Sequence, residues 1–512
     1  MTTSTPTEVA SEPTGEGLAG SGRSELRLPF TFAKQHGVLL DGDADSPVIV
    51  HQAMPPAAVL LELRRYLGAP FSFRAVEEAE FQKRLAQSYQ RGNIEAVQMA
   101  EDLGADVDLG RLVDEIPDAG DLMDAEDDAP IIRLINAVLS QAVREKASDI
   151  HIETFEDRLR VRYRIDGVLS EVLSPKRMLA PLLVSRLKVM AKLDIAEKRL
   201  PQDGRITVKI AGHAVDIRMS TMPSAHGERV VLRLLDKQAG QLELSQLAMN
   251  DQVLTAYKKS LRSPHGIILV TGPTGSGKTT TLYAGLSHIN ETSRNILTIE
   301  DPIEYMLPGV GQTQVNPKVE MTFARGLRAI LRQDPDIVMV GEIRDLETAQ
   351  IAVQASLTGH LVLSTLHTNT AVGAITRLQD MGIEHFLLSS SLVAVIAQRL
   401  VRLLCRNCRA AVAPTEAEMA LLGLSGNGVD CEIFRPDGCE QCNYTGYRGR
   451  TGIYEMIEID SDLQRMIHES VGEQEMQREA RKRYPGIQED GRRRILAGDT
   501  SVEEVLRVTT TN

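Results

Sequence analysis

The chain has 512 residues, of which 42% are hydrophobic and 25% are charged, and its formal net charge at pH 7 is −13. This length exceeds what one hydrophobic core can hold, so roughly two to four domains are expected. The acidic balance argues against nucleic acid as the main partner, because binding to phosphates requires a basic surface. No apolar run approaches the roughly 20 residues that span a bilayer. The first residues lack the basic start and the apolar stretch of a signal peptide, so we expect a cytoplasmic location.

The first 128 residues divide into three stretches of different composition. Residues 1–24 are rich in Ser, Thr, Gly, Pro and Glu, which predicts a disordered tail. Residues 25–100 regain a mixed pattern, typical of a small α/β or helical module, and binding is the better interpretation of its role. Residues 101–128 hold twelve acidic residues and one basic residue, Arg111. Such a run repels itself, so we predict an extended acidic linker, with an acidic binding surface as the alternative.

An α+β domain is predicted for residues 129–236. Asp128 is suited to cap a helix and Pro130 to its first turn, and apolar residues then recur at helical spacing. Several segments after residue 148 alternate apolar and polar residues as strands do, and Asp166-Gly167 is typical of a turn between two of them. The next domain is predicted at residues 240–395.

Residues 272–279 read Gly-Pro-Thr-Gly-Ser-Gly-Lys-Thr, which fits the phosphate-binding pattern G-x-x-x-x-G-K-[ST]. An apolar run, residues 265–270, precedes the motif as a buried strand, and a helical pattern follows it. Glycine lets the backbone curl so that its N–H groups point at an anion, and the helix start adds partial positive charge. Lys278 would reach the β- and γ-phosphates of ATP, and Thr279 would hold Mg²⁺. The predicted ATP-binding residues of this loop are Gly272, Pro273, Thr274, Gly275, Ser276, Gly277, Lys278, Thr279 and Thr280.

Hydrolysis also needs a carboxylate that positions the attacking water, and two later segments offer candidates. Residues 296–304 form an apolar strand that ends in three carboxylates, of which Glu304 is the last. Residues 337–342 read as another apolar strand followed by Gly-Glu, so Glu342 comes directly after the apolar residues. In open α/β sheets, ligands bind at the carboxyl ends of strands. Glu304 and Glu342 are therefore the predicted catalytic carboxylates.

Two further groups of residues have more than one interpretation. His360 and His367 stand at the two ends of one predicted strand, and we interpret them as catalytic-site residues that sense the γ-phosphate or link it to a neighbouring subunit, although a lone histidine is usually structural. Arg325, Arg328 and Arg332 share one helical face. Such a face is most often solvated, but in an ATPase it would offer an arginine finger or an intersubunit salt bridge. The sequence leaves both interpretations open.

Four of the five cysteines form two C-x-x-C pairs, Cys405 with Cys408 and Cys439 with Cys442. Two such pairs on tight turns bring four thiolates to a tetrahedral Zn²⁺ site. Because four thiolates leave no open coordination position, the site is predicted to be structural. It would organise a small zinc-binding subdomain, residues 396–455, and residues 456–512 would form a C-terminal helical region.

Basic residues surround this cysteine module. They would contact acidic phospholipid or simply be solvated, and the sequence does not separate the two. They are Arg399, Arg402, Arg406, Arg409, Arg448 and Arg450.

Together these segments resemble the secretion ATPase superfamily, which drives type II secretion, type IV pili and related machines. Its motifs are a Walker A loop, an Asp box, an atypical Walker B motif and a His box, which here would be residues 272–279, 296–304, 336–342 and 358–367. The resemblance extends from about Asp128 to the C-terminus. The segments most similar to the type II secretion ATPase family, that of general secretion pathway protein E, are residues 147–153, 162–167, 194–205 and 226–233. The four-cysteine insert is also similar to an element of that family.

The resemblance implies an α/β fold, with a RecA-like P-loop ATPase domain, a preceding α+β (PAS-like) domain, an N-terminal docking module and a small four-cysteine zinc subdomain. It also implies a homo-hexameric ring in the cytoplasm that hydrolyses ATP. Arg218 and Arg233 match family arginines that reach toward the nucleotide. Glu342 matches the Walker B glutamate used in hydrolysis, and Glu304 matches an acid of the Asp box. The module at 25–100 would dock on the cytoplasmic domain of an inner-membrane secretion platform protein.

The preferred hypothesis is a mechanochemical ATPase that energises type II secretion through pseudopilus assembly. A type IV pilus assembly ATPase is an alternative, because the two machines share most of these residues. A nucleotide-gated assembly scaffold is another, which the two acidic strand ends disfavour. A nucleic-acid motor is disfavoured by the acidic balance and by the lack of an aromatic-basic groove.

Overall fold

The computed structural model describes Leu109, a scattered set of residues between 28 and 84, and residues 129–510 except 211–212, 237–241 and 425–430. The chain divides into two compact units, an N-terminal one of Met1–Val107 with Asp114–Arg133 and a second one of Leu134–Asn512 with Asp108–Val113. The predicted tail, residues 1–24, lies outside the described residues. So does the predicted acidic linker, apart from Leu109, which is helical and buried.

The N-terminal unit contains a three-stranded sheet in the order β1-β2-β3. Its strands are β1 (Val38–Asp41), β2 (Val48–His51) and β3 (Ser72–Ala75). Strand β2 pairs antiparallel with β1 and parallel with β3. Apolar strand residues pack with the helical residues Leu63 and Phe81 in a small core of their own. Of the two predicted alternatives for this module, the structure has the α/β one.

The second unit begins with a sheet of six antiparallel strands in the order β6-β5-β4-β9-β8-β7. Its elements are α1 (Ala129–Arg144), β4 (Asp149–Thr154), β5 (Leu159–Ile165), β6 (Val168–Leu173), α2 (Ala180–Met190), β7 (Gln202–Ile210), β8 (His213–Ser224) and β9 (Gly227–Asp236). The buried hydroxyl of Tyr163 donates to the carbonyl of Val138, which fastens α1 to the sheet. Asp166 and Gly167 form the β5–β6 turn with φ angles of +49° and +84°.

A seven-stranded sheet follows and carries the phosphate-binding motif. Its strands are β10 (Gly266–Thr271), β11 (Ile296–Glu300), β12 (Gly311–Gln314), β13 (Ile337–Val340), β14 (Leu361–Leu366), β15 (Leu392–Leu404) and β18 (Tyr447–Glu458). The order is β12-β11-β13-β14-β10-β15-β18, and all neighbours are parallel except β15 and β18. Every residue of β10, β13 and β14 is buried, which is typical of parallel strands covered by helices on both faces.

Two helical layers bury the two faces of this sheet. The helices are α3 (Asp251–Ser260), α4 (Lys278–Ile289), α5 (Phe323–Ile330), α6 (Leu346–Leu357), α7 (Ala371–Asp380) and α8 (His385–Ser391). Alternate residues of β10 serve different cores, because successive side chains of a strand point to opposite faces. Ile267 and Leu269 join one cluster, and Ile268 and Val270 join the other.

The seven-stranded sheet extends beyond the predicted boundary at residue 395, because β15 continues to Leu404 and β18 returns beside it. The cysteine module lies between these two strands and contains β16 (Ala410–Val412), α9 (Glu416–Leu421) and β17 (Ile433–Arg435). The C-terminal region is helical, with α10 (Ser461–His468), α11 (Glu473–Ala480), α12 (Ile487–Leu496) and α13 (Val502–Thr509). In the part of the chain that the structure describes, no helix has both the length and the apolar character needed to cross a membrane.

Candidate active site and metal centre

The phosphate-binding motif forms a tight loop between β10 and α4. Gly272, Gly275 and Gly277 have φ angles of +148°, +79° and +86°, a backbone region that favours glycine. A Cβ atom on Gly272 would lie 2.5 Å from the carbonyl oxygen of Gln398, so this position also has no space for a side chain. Helix α4 begins at Lys278, and its first N–H groups and partial positive charge therefore face the loop.

The side chain of Lys278 is buried within its own loop. Its Nζ donates to the carbonyl oxygens of Gly272 and Pro273, at 2.9 and 3.1 Å. Burial lowers the pKa of Lys278 to about 8, and the nearby carboxylate of Glu342 opposes that shift. The buried hydroxyl of Ser276 has no hydrogen-bond partner among the described residues. A buried cation and an unsatisfied hydroxyl in one loop are what a bound phosphate would satisfy.

Two buried polar residues of β15 lie at the site, of which Gln398 supports the loop and Arg399 lines the cleft, and the sequence did not identify them as part of the site. Gln398 donates to the carbonyl of Ser276 at 2.6 Å and accepts from the hydroxyl of Thr281 at 2.7 Å. Arg399 donates to the carbonyl and side-chain oxygens of Asn369, at 3.0 and 3.1 Å. Their signal in the sequence is a pair of polar residues within an apolar strand. Arg399 is therefore buried beside the loop and does not face solvent or lipid.

Glu342 follows β13 and lines the cleft together with the loop. Its carboxylate forms an ion pair with Arg344 and lies 3.3 Å from Nε2 of His367. Arg344 also approaches Asp301, which follows β11, at 3.8 Å. Groups that follow three parallel strands thus meet at one edge of the sheet, as predicted from their strand-end positions. His367 and Arg344 fix the orientation of the Glu342 carboxylate beside Lys278.

A cleft of about 1020 Å³ brings these groups together. The residues that line it include the phosphate loop from Pro273 to Thr280, with Glu304, Glu342, His367 and Arg233. Arg233 belongs to β9 of the six-stranded sheet, so that domain closes one side of the cleft. The volume is ample for a nucleotide, because ligand pockets commonly measure about 300–1,000 Å³.

The six-stranded domain carries both arginines that were predicted to bind ATP, Arg218 and Arg233, and the two make different contacts. Arg218 lies 3.6 Å from the carboxylate of Glu304 and donates to the carbonyl of Ile303 at 2.9 Å. Burial lowers the pKa of Arg218, and Glu304 opposes that shift. Arg233 is half-exposed and pairs with Asp149 at 2.9 Å. One arginine therefore holds the loop after β11, while the other faces the open cleft.

The structure does not bring His360 to this cleft. His360 precedes β14 and His367 follows it. The 6 residues of this strand span about 20 Å, at roughly 3.3 Å per residue, so the two histidines lie at opposite ends of it. The Nδ1 atom of His360 forms a hydrogen bond with the carbonyl of Ala355, at 2.9 Å, where helix α6 ends. His360 thus lies at the opposite edge of the sheet from the cleft of its own chain, and its role in sensing the γ-phosphate or in linking it to a neighbouring subunit stays a prediction.

The three arginines on and just after α5 make local contacts. Arg325 approaches Glu320 at 3.7 Å, Arg328 pairs with Glu347 at 2.8 Å, and Arg332 donates to the carbonyl of Arg328 at 2.9 Å. The cleft lining does not include them.

The four predicted metal ligands are close together. The Sγ atoms of Cys405, Cys408, Cys439 and Cys442 all lie within 4.8 Å of one another. The separations are 3.9 Å for Cys405–Cys439, 3.8 Å for Cys408–Cys442 and 3.8 Å for Cys439–Cys442. A tetrahedral site with Zn–S bonds of about 2.3 Å requires sulfur atoms about 3.8 Å apart. The sulfur positions therefore fit a zinc ion.

Hydrogen bonds to sulfur support the same interpretation. The backbone N–H of Gly438 donates to Cys408 at 3.3 Å, and that of Gly446 donates to Cys442 at 3.2 Å. The side-chain amide of Asn407 lies 3.4 Å from the sulfur of Cys439 and helps to lower its pKa to about 6. Such donors stabilise thiolates, which are the form that binds metal.

The comparisons with known proteins identify the family. The family described as Type II/IV secretion system protein matches residues 124–507, and a domain described under GSPII protein E matches residues 27–89. The chain belongs to the type II/IV secretion system protein family. It is 61% identical to Type II secretion system protein E of Pseudomonas aeruginosa, over 96% of this chain and 98% of that protein. It is 58% identical to Type II secretion system ATPase E of Vibrio cholerae, over 95% of this chain and 97% of that protein.

Two solved structures share the fold of this chain. The ATPase DotB of Legionella pneumophila superposes with a TM-score of 0.54 at 21% identity, over 73% of this chain and 94% of that one. DotB of Yersinia pseudotuberculosis superposes with a TM-score of 0.56 at 18% identity, over 74% of this chain and 93% of that one. The RecA-like α/β fold that the family resemblance implied is therefore confirmed.

The depressed pKa of Lys278 predicts how nucleotide affinity depends on pH. A bound phosphate favours the ammonium form and so raises the pKa of Lys278 above its value of about 8 in the empty loop. Affinity for a non-hydrolysable ATP analogue should be constant below about pH 8. Above it, Kd should rise by up to about tenfold per pH unit, because binding then requires proton uptake. Calorimetry in buffers of different ionisation enthalpy measures both quantities. In Lys278→Arg, whose side chain stays charged, the Kd should not rise above pH 8. A wild-type Kd that stays constant above pH 8 would contradict the prediction.

The cysteine geometry predicts about one zinc ion per purified chain. Replacing Cys405 and Cys408 together by Ser should remove the metal, lower the melting temperature and speed hydrogen exchange in the cysteine module, since structural zinc contributes folding energy. Metal analysis and exchange mass spectrometry measure these effects. Cys431, which lies outside the cluster, supplies the control: Cys431→Ser should retain zinc. Wild-type protein that is free of metal and melts like the double variant would reject the site.

Proposed function

We propose that this protein is a cytoplasmic ATPase that hydrolyses ATP to ADP and phosphate and thereby energises type II protein secretion through pseudopilus assembly. It would act as a homo-hexamer, attached to the inner membrane through a partner. The observation that carries the proposal is the meeting of Lys278, Glu342 and Glu304 at one cleft, in a chain whose relatives are named type II secretion ATPases.

Each residue of the cleft has a distinct task in this proposal. Lys278 would exchange its two loop carbonyls for oxygens of the β- and γ-phosphates. Glu342 would orient the attacking water, with His367 and Arg344 holding its carboxylate. Thr279 is the residue that would hold Mg²⁺, which neutralises charge on the phosphates during transfer.

The six-stranded domain would transmit the effect of the nucleotide. Arg233 faces the cleft and pairs with Asp149 in the structure, so a bound nucleotide offers it a competing anionic partner. Arg218 joins the same domain to the loop after β11 through Glu304. Changes in the charge of the nucleotide would therefore shift the balance of ion pairs between this domain and the seven-stranded sheet.

The N-terminal unit would dock on the cytoplasmic domain of an inner-membrane secretion platform protein. Support comes from the match of residues 27–89 to a domain of GSPII protein E and from the separate core of this unit. Acidic phospholipid is a further proposed partner, through basic residues near the cysteine module that remain exposed, such as Arg406 and Arg448.

Steady-state turnover tests the enzymatic assignment. Lys278→Ala should abolish both ATP binding and hydrolysis, because the loop loses its cation. Glu342→Gln should bind ATP with a Kd near that of the wild type while kcat falls by about 100-fold or more, since the group that positions water is lost. Phosphate release and equilibrium binding measure the two effects.

Glu291→Gln is the matched control for that experiment. Glu291 lies just beyond the far end of α4, exposed and paired with Arg294, so its variant should behave as wild type. Normal turnover in Lys278→Ala would refute the assignment, and normal turnover in Glu342→Gln would remove Glu342 from its role.

A surface substitution tests the docking assignment. All four residues of β3 are exposed, and the ring of Phe73 is 41% accessible. Phe73→Asp should weaken binding to the cytoplasmic domain of the platform protein by about tenfold or more, because an exposed aromatic residue is a common anchor of interfaces. Met54→Asp, at another exposed apolar residue of the unit, is the control. Calorimetric Kd values that are equal for both variants and the wild type would exclude β3 from the interface.

A further inference from the structure

A buried polar cluster lies behind the phosphate loop, and its centre is the hydroxyl of Tyr283. Tyr283 belongs to α4, one turn after Thr279, and its side chain is fully buried. The hydroxyl donates to the carboxylate of Glu300, which is 3% exposed at the end of β11. Thr298 and Gln312 donate to the other oxygen of that carboxylate, at 2.6 and 3.0 Å. Three donors thus satisfy the carboxylate of Glu300, a residue that also lines the cleft.

The same cluster fastens the loop that joins β11 to β12. The hydroxyl of Tyr283 lies 3.4 Å from the backbone N–H of Glu304, which can donate to it. Gln312 holds the loop at two further points, through the carbonyl of Tyr305 at 3.1 Å and the N–H of Leu307 at 2.6 Å. The ring of Tyr305 packs edge-on against that of Tyr283, with centroids 4.6 Å apart. The loop is therefore attached to helix α4 through the phenol group of Tyr283 and, at the end of the helix, through Asn290, whose side-chain amide donates to the carbonyl of Pro308 at 2.7 Å.

This loop carries the acid that meets the six-stranded domain. Glu304 lies 3.6 Å from Arg218, and Arg218 donates to the carbonyl of Ile303 at 2.9 Å. The hydroxyl of Tyr283 is thus in direct contact with the residue whose carboxylate the arginine meets. Leu282, the neighbour of Tyr283 on α4, lines the cleft, as does Glu300, whereas Tyr283 itself is not part of the lining.

We propose that Tyr283 is a positioning residue for ATP hydrolysis: its hydroxyl, together with Gln312, holds the loop after β11 so that Glu304 faces the cleft and meets Arg218. The proposal rests on the ATPase function proposed above. Tyr283 contacts no reacting atom in this scheme and acts through Glu304. Nucleotide binding depends on the phosphate loop itself, so loss of the hydroxyl should affect turnover rather than affinity.

Tyr257 provides a matched control on the other side of the same helix. It is also fully buried, and its hydroxyl donates to the carbonyl of Thr281 in α4 at 3.2 Å. Tyr257→Phe therefore removes one buried hydrogen bond to the same helix without touching the loop after β11. A general loss of stability would appear in both variants, whereas misplacement of Glu304 would appear in Tyr283→Phe.

The test compares kcat and KM for ATP in the full-length wild type and the Phe variants. In Tyr283→Phe, kcat should fall by about tenfold or more while KM changes by less than about threefold. In Tyr257→Phe both values should stay within about twofold of the wild type. Gln312→Leu, which releases the loop from the other side, should repeat the fall in kcat, so the proposal stays testable if Tyr283→Phe does not fold.

A double variant decides whether Tyr283 acts through Glu304. When Tyr283→Phe is added to Glu304→Gln, kcat should fall no further than in Glu304→Gln alone, because both changes disable the same group. Multiplicative losses, an unchanged kcat in Tyr283→Phe, or an equal loss in Tyr257→Phe would each overturn the proposal. If the wild type hydrolyses ATP and Glu342→Gln does not, any of these three outcomes would reject only the role of Tyr283. A wild type that does not hydrolyse ATP would reject both the proposed function and the role of Tyr283.

Discussion

The phosphate loop holds a buried ammonium ion for which its own backbone provides the nearest oxygens. Two carbonyls of the loop contact Lys278, and desolvation lowers its pKa. A carbonyl dipole compensates a charge less well than an anion does, so this arrangement favours entry of a phosphate. The unsatisfied hydroxyl of Ser276 adds a donor at the same place. The other groups of the cleft are arranged around this cation.

The parallel order of the strands explains why distant residues surround that cation. Strand β14 lies between β10 and β13, and β11 lies beyond them, so four carboxyl ends lie in a row. Lys278, Asp301, Glu342 and His367 follow those ends and meet there. The six-stranded domain completes the row from outside the sheet, with Arg218 bound to the loop after β11. The site therefore belongs to two domains.

The sequence predicted those parts of the site in which a short motif determines the local backbone conformation. The glycine pattern required the left-handed turns of the loop, and the paired cysteines required a sulfur cluster; both are present. Glu342, just after β13, and Glu304, on the loop after β11, both line the cleft. These features depend on local conformation or on which end of a strand a residue occupies, and both can be inferred from neighbouring residues.

The parts that the sequence did not predict depend on contacts between distant segments. Glu300 was expected to face the phosphates, and it lines the cleft, but hydrogen bonds from Tyr283 and Gln312 occupy its carboxylate. Gln398 supports the phosphate loop from a strand that the predicted domain boundary divided. Both cases depend on contacts between segments that are distant in sequence, which local patterns do not specify. His360 is different, because the sequence had already placed it and His367 at opposite ends of one strand.

The cysteine module affects the cleft through the strands on which it is built. Cys405 follows β15 and Cys442 precedes β18, so a metal that links them would join the ends of two long antiparallel strands. At the start of β18, the N–H of Gly449 donates to Asp166 at 2.7 Å, and Arg450 pairs with the same carboxylate at 3.2 Å. Asp166 is the turn residue of the six-stranded domain that lines the cleft. Since the metal-linked strand end holds that turn, the zinc site would contribute to the shape of the nucleotide cleft as well as to the fold of its own module.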